Sequence, residues 1–295
     1  MARAALVALL YPRAMGAPAP FVIRDLIVRA LSEDLGRGDV TSEACVPADA
    51  VGSANLVARQ RLVVCGLPII VATFAEVDAR VKVDVHGSDG DLCERGAIVA
   101  KVSGPSRSML MGERVALNFA QRLSGIATKT RAFVDALPKG SKTRITDTRK
   151  TTPGLRAIER WAVRCGGGHN HRDDLSSAVL IKDNHIAACG GVRVAIERAR
   201  AHAPHTSRIE CEVDRIEQLR EALDARADII LLDNFDDDML KEAVAITNGR
   251  ALLEVSGGVT LERIPKIAAA GVDVISAGAL THSAPAADLA LDWAT

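Results

Sequence analysis

Four cations stand within thirteen residues, "RITDTRKTTPGLR" at positions 144–156: Arg144, Arg149, Lys150 and Arg156, with Asp147 as the single acid among them. The chain as a whole is balanced, with 37 basic and 37 acidic residues. A local excess of positive charge in a neutral protein serves a local purpose, and the natural one is to hold an anion bearing several charges. Arg172 and Lys182 follow downstream and extend the set. Acids occur in comparable settings: Glu210, Glu212 and Asp214 at alternate positions, then Asp233 and Glu254. Of these, Glu212 and Asp233 would be badly placed beside an anion alone. They make sense where they hold Mg²⁺, directly or through water, or face a developing cation.

Two glycine turns sharpen this reading. "SGGV" (Ser256, Gly257, Gly258) and "SAGAL" (Ala277, Gly278, Ala279) each close an apolar run and open a helical one. Glycine there lets backbone N–H groups approach phosphate oxygens, and a helix N-terminus adds favourable potential. Two ordinary tight turns would give the same pattern. The stretch "RCGGGHNHRDDLSS" supplies a close-approach loop with His169 and His171 as H-x-H. That spacing raises a metal-hydrolase alternative, but no later apolar run ends in histidine, and Arg172 beside His171 favours an anion.

The elements that position these residues can be read from periodicity. After Lys142, strand-length apolar runs alternate with helical segments. The runs are "RITDT", "AVLIKDN", "RIECEVD", "DIILLDN", "ALLEVSGG" and "VDVISAG"; the helical segments begin near Leu155, Val192, Ile216, Asp237, Leu261 and Ala286. This alternation calls for a parallel sheet with right-handed crossovers, and near-continuous apolar strands such as "DIILL" are expected when both sheet faces are covered. About six strands are fewer than a complete barrel requires, so an open or shortened barrel is expected. In such a sheet the C-terminal strand ends share one edge, where ligands bind. All six runs end in polar or glycine residues.

The preceding part reads as an α+β sandwich. Helical spacing starts at Phe21, "LPIIVATFAEV" has the look of one buried helix, and Val81, Val83 and Val85 alternate with polar residues as a half-buried strand; "AIVAKVSG" is a second strand. "MGERVALNFAQRLSGIAT" predicts an amphipathic helix with one stripe of Val115, Phe119, Leu123 and Ile126 and another of Arg114, Asn118, Gln121, Arg122 and Gly125. The polar stripe is either a solvated face or the lining of an anion site. The expected division is an N-terminal extension (1–20), an α/β sandwich (21–125), an open α/β barrel (126–284) and a C-terminal helix (285–295) packing back on the sandwich.

Composition excludes several other classes. Aromatic residues make up only 3% of the chain, too few for a base-stacking groove. Net charge is zero, so no general pull toward nucleic acid or membranes exists. No apolar run approaches the ~18 residues of a membrane span. The six cysteines include no C-x-x-C pair and are expected as reduced thiols of a cytoplasmic protein. The opening "MARAALVALLYPRAMGAPAP" has an apolar stretch at the short end for a secretory leader and reads as a loose Pro/Ala-rich extension.

The motifs "TDTRKTTPGLR", "GGGHNHRDDLSSAVLIKDNHI", "ECEVD", "LLDNF", "LEVSGGV" and "ISAGALTHSAPAADLALDW", with "EDLGRGDVT" and "GERVALNFAQRLSGIAT" before them, resemble quinolinate phosphoribosyltransferase, the carboxylating nicotinate-nucleotide diphosphorylase family. The likeness runs in order from about Phe21 to Trp293. It implies condensation of quinolinate with phosphoribosyl pyrophosphate, with Mg²⁺, to nicotinate mononucleotide, CO₂ and pyrophosphate, by a homodimer with shared active sites. It implies that Arg114 reaches substrate across the interface. Thr148, Arg149, Lys150, His171, Arg172 and Lys182 would surround the diacid and the sugar pyrophosphate. Glu212 and Asp233 would face ribose hydroxyls and Mg²⁺, and Ser256, Gly257, Gly258, Ala277, Gly278 and Ala279 would hold the 5′-phosphate. Lys150, His171, Lys182, Glu212 and Asp233 are the catalytic candidates. Competing readings are a relative acting on another base, a phosphate-binding barrel aldolase or isomerase with Lys182 as a Schiff-base amine, and a non-catalytic nucleotide sensor.

Overall fold

The computed structural model describes residues 17–294. The expectations for residues 1–16, a loose extension or a leader-like start, lie outside the described residues. In chain order the elements are α1 (Pro20–Leu35), α2 (Val40–Cys45), β1 (Val51–Ala58), β2 (Leu62–Val63), α3 (Leu67–Val77), β3 (Lys82–Val85), β4 (Leu92–Cys93), β5 (Ile98–Pro105), α4 (Ser106–Asp135), β6 (Arg144–Thr146), α5 (Arg156–Cys165), β7 (Val179–Ile181), α6 (Asp183–Cys189), α7 (Val192–His202), β8 (Ile209–Val213), α8 (Ile216–Asp224), β9 (Ile229–Asp233), α9 (Asp237–Thr247), β10 (Leu252–Ser256), α10 (Ile264–Ala270), β11 (Val274–Ser276), α11 (Ala279–His282) and β12 (Leu289–Trp293). They divide between two compact units. The first takes the described residues up to Arg131, Thr151–Gly167 and those from Leu280 on; the second takes Ala132–Lys150 and Gly168–Ala279.

The first unit is built on an antiparallel sheet of order β12-β1-β5-β3. Its core gathers Leu56, Leu67, Ile70, Phe74, Val102 and Met109. Burying a side chain of this size stabilises the fold by about 1.5–3 kcal/mol. The run "LPIIVATFAEV" is α3, and it buries Leu67, Ile69, Ile70 and Phe74 as its composition demands.

The C-terminal helix expected over 285–295 does not form. Leu289–Trp293 is instead a strand, antiparallel to β1, with Leu56 opposite Leu291 and Ala54 opposite Trp293. Leu289, Leu291 and Trp293 alternate with Ala290 and Asp292, a period of two that sends the large residues to the core. The alanines before them mimic helix propensity but do not decide the outcome.

The polar stripe of α4 has a use that neither sequence reading anticipates. Arg122 donates to Glu159 at 2.8 Å and to the carbonyls of Thr281 (2.6 Å) and Ala284 (3.1 Å). Gln121 donates to the Leu289 carbonyl at 2.8 Å. A Cβ on Gly125 would lie 1.9 Å from the Pro285 oxygen, so only glycine allows this approach. At these positions the stripe grips the chain's own C-terminal segment. Arg114 and Asn118 on the same helix are exposed.

The second unit contains a six-stranded sheet of order β6-β11-β10-β9-β8-β7, parallel throughout. β6 and β7 are its two edges and do not pair, so the sheet is not closed into a barrel. The expected open α/β arrangement of six strands is the one observed. Because every strand runs the same way, all six C-terminal ends fall on one edge.

Candidate active site

That edge collects the chemistry-bearing residues. Thr148, Arg149 and Lys150 follow β6; Lys182 follows β7; Glu212 lies on β8; Asp233 ends β9; Ser256 ends β10 ahead of Gly257 and Gly258; Ala277, Gly278 and Ala279 follow β11. His171 and Arg172 arrive on the glycine loop. The loop is laid along β6 as a short parallel bridge, Thr146 to His169. Buried Asp147 fastens it: Oδ1 accepts the His171 N–H at 2.7 Å and Oδ2 accepts the Asn170 amide at 2.6 Å. Of the predicted site residues, only Arg114 belongs to the first unit.

The cations interact among themselves. The Arg172 guanidinium is held below its ordinary value by burial and then by the like charge of Arg149. Two guanidiniums within electrostatic reach of each other suit an anion with more than one charge. Lys182 Nζ lies 2.6 Å from Glu212 Oε2. The Asp233 carboxyl is raised by burial first and by Glu212 second, while Lys182 and Lys150 pull it back. Lys150, Lys182, Glu212 and Asp233 therefore share one electrostatic neighbourhood.

Gly257 packs the β9 and β10 ends together. Its φ is +80°, and a Cβ there would stand 2.2 Å from Asn234 Oδ1 and 2.9 Å from Asp233 Oδ1. The left-handed backbone calls for glycine, and a side chain there would displace the Asn234 and Asp233 side chains. The second glycine turn is tied in by Ala277 N–H, which donates to the Thr146 carbonyl at 3.0 Å.

His171 has two neighbours absent from the predicted site, Glu210 and Glu254. Its Nε2 lies 3.4 Å from a carboxylate oxygen of each, and both acids are buried. Burial opposes a charged imidazole, but hydrogen bonding and charge from the two acids outweigh it and raise His171 to about 10. Glu210 is itself raised by burial and by Glu254. On the other side, the Arg172 N–H donates to Nδ1 at 2.7 Å. The Nδ1 contact favours a ring proton on Nε2, between the acids, and the raised value belongs to the cluster of three rather than to one ring nitrogen. His169 does not join: it is largely exposed, and the partial desolvation of its ring, then Arg144, lower its pKa. The H-x-H pair thus does not act as a pair.

Comparison with known proteins decides the family. Residues 39–124 match the N-terminal domain of quinolinate phosphoribosyl transferase, and residues 126–292 match its C-terminal domain. The chain belongs to the quinolinate phosphoribosyltransferase family. A Bacillus subtilis (strain 168) member named "Probable nicotinate-nucleotide pyrophosphorylase", carboxylating, is 43% identical over 270 residues, covering 92% of this chain and 93% of its own length. A mitochondrial decarboxylating quinolinate phosphoribosyltransferase of Nicotiana tabacum is 42% identical, over 91% of this chain and 81% of its own. The solved nicotinate-nucleotide pyrophosphorylase of Francisella tularensis superposes with a TM-score of 0.90 at 36% identity, covering 96% of this chain and all of that one.

Within this family member, the position of Glu210 had a visible sequence signal. It sits two residues before Glu212 on one strand, so the two side chains share a face. Glu254 had no such signal, since only strand order places it near His171. Glu254→Gln removes one of the two acids flanking the ring. The His171 titration, followed by NMR of its ring protons, is expected to move down toward the ordinary histidine range. The raised value also sets a pH window: this interaction stabilises the fold fully below about pH 6.5 and is lost as pH rises through about 10. An unchanged titration in the variant would contradict the shared-proton arrangement.

Proposed function

We infer that the chain transfers the phosphoribosyl group of phosphoribosyl pyrophosphate to quinolinate and releases CO₂, giving nicotinate mononucleotide for NAD biosynthesis. Membership of the family along nearly the whole chain carries the inference. The strand-end cations supply its chemical basis. Quinolinate brings two carboxylates and the co-substrate three phosphate groups, which match Arg149, Arg172, Lys150 and Lys182. The glycine turns at Ser256–Gly258 and Ala277–Ala279 suit the 5′-phosphate.

In the first step the ribose C1–oxygen bond breaks, pyrophosphate leaves with the electron pair, and the pyridine nitrogen bonds to C1. Positive charge grows on the sugar as this happens, and Glu212 and Asp233 would face it. The nitrogen is then cationic. The adjacent carboxylate leaves as CO₂, its bonding pair stays on the ring carbon beside that nitrogen, and a proton completes the product. The cluster of His171, Glu210 and Glu254 orients a substrate carboxylate or delivers that proton.

Glu212 and Asp233 fit a magnesium ion: they are hard oxygen donors, and burial together with the charge of Glu212 raises Asp233. Magnesium bound there would neutralise pyrophosphate charge and ease its departure. Lys182 does not suit a Schiff-base mechanism, because its nitrogen is engaged by Glu212 at 2.6 Å. A cytoplasmic setting agrees with the six free cysteines, and no helix among the described residues is long and apolar enough to cross a membrane.

Incubation with quinolinate, phosphoribosyl pyrophosphate and Mg²⁺ is expected to yield nicotinate mononucleotide, while nicotinate in place of quinolinate yields none. Absence of product from quinolinate, or trapping of a substrate on Lys182 by borohydride, would overturn the reading. The homodimer belongs to the same proposal, with Arg114 completing the partner's site. Arg114→Ala is expected to be inactive alone and to regain activity when mixed with an inactive Lys182→Ala chain, since one of the two hybrid sites then has both side chains. No recovery on subunit exchange would remove the shared site.

A further inference from the structure

Apart from the strand-end site, the first unit brings together two thiols and a carboxylate. One ligand atom each from Cys65, Asp89 and Cys165 lies within 4.8 Å of the others. Three separate segments provide them: Cys65 follows β2, Asp89 sits in the turn before β4, and Cys165 closes α5. Nothing in the phosphoribosyl chemistry calls for this cluster.

The surroundings hold the three groups in place. Cys65 is fully buried, and its N–H donates to Ser124 Oγ at 3.0 Å. Asp89 Oδ1 accepts the N–H groups of Gly66 and Leu67 at 3.0 and 3.1 Å, which pins the carboxylate to the start of α3. Asp89 Oδ2 is buried and has no hydrogen-bond partner. A buried carboxylate oxygen without a donor is costly unless a proton or a cation meets it. Burial raises the Cys65 thiol, with Cys165 and Asp89 adding to it, and raises Asp89 to about 6. A cation would reverse both effects.

We propose that Cys65, Asp89 and Cys165 form a binding site for a thiophilic divalent cation, zinc above all. Two sulfurs and one carboxylate oxygen are donors that zinc accepts, with water in the fourth position. Tetrahedral zinc–sulfur bonds of about 2.3 Å set sulfurs roughly 3.8 Å apart, inside the observed spacing. Binding releases the two thiol protons to solvent and leaves the carboxylate ionised. Asp89 and Cys165 are only partly buried, which gives the ion a way in. The backbone bonds to Asp89 Oδ1 act as the outer support that metal ligands require. Loaded, the site would tie three segments of the first unit together and stabilise it.

The test uses the full chain, stripped with chelator and kept in excess magnesium so that oxygen-donor sites are filled. Titration with cobalt(II) is expected to reach one equivalent with a thiolate-to-cobalt charge-transfer band in the near ultraviolet, and zinc is expected to displace it. Cys165→Ser should lose the band and that equivalent, and Asp89→Asn should weaken affinity by about tenfold or more. In the wild-type protein, zinc should shield Cys65 and Cys165 from alkylation, as mapped by mass spectrometry, and raise the unfolding temperature. The proposal falls if wild type binds no more cobalt than Cys165→Ser, or if zinc leaves alkylation of both cysteines unchanged. It also falls if the stripped protein holds a Cys65–Cys165 disulfide and takes up no metal after that bond is reduced.

Discussion

Lys182→Ala is expected to lower kcat/KM roughly a thousandfold, or about 4 kcal/mol of transition-state stabilisation. Two effects combine. The substitution removes a fixed cation from the edge where pyrophosphate charge develops, and one preorganised electrostatic partner is commonly worth about 10²–10³ in rate. It also strands Glu212, now without its partner at 2.6 Å and beside Asp233, whose carboxyl Glu212 already raises. The fold should survive, since the Lys182 side chain is 46% exposed. Steady-state kinetics with a thermal melt check both halves. Lys182→Arg should recover only part of the loss, because a planar fork does not reproduce a compact ammonium. A kcat/KM for Lys182→Ala within about fivefold of wild type would remove Lys182 from the mechanism.

Arg149→Ala should lose function while the fold survives. Burial first and the like charge of Arg149 second lower Arg172, so Arg149 lies within electrostatic reach of Arg172 at the strand-end edge, and the variant should melt near the wild-type temperature. Its KM for quinolinate should rise roughly a hundredfold, as the loss of a charged hydrogen-bonding partner worth about 2–5 kcal/mol implies. A side chain of merely structural importance would instead lower stability and leave KM alone. A destabilised variant with unchanged KM would contradict the assignment.

Much of this arrangement was legible in the residues themselves. Six apolar runs ending in polar or glycine residues are enough to predict a parallel sheet with one decorated edge, because strand direction alone aligns those ends. The glycine turns were legible because glycine marks positions with a left-handed backbone, and Gly257 has a φ of +80°. The losses have physical causes. The Arg122 stripe looked like a binding or solvated face because periodicity shows that residues share a side, not what meets that side. Its partners, Glu159, Thr281 and Ala284, lie 37, 159 and 162 residues away. β12 was mistaken for a helix because three alanines and an expected further βα repeat outweighed a short alternating pattern. Glu254 and the Cys65, Asp89 and Cys165 cluster depend on non-local packing, which single-chain spacing does not encode.

The central claim is that cations from separate strand ends of the second unit converge on one diacid and one sugar polyphosphate. A crystal structure of the protein with quinolinate bound tests this most directly. The account predicts the two carboxylates among Arg149, Arg172, His171 and Lys182, with the ring nitrogen turned toward Glu212 and Asp233 and the glycine turns beyond them. Quinolinate seated elsewhere, with those four side chains out of reach of either carboxylate, would contradict it.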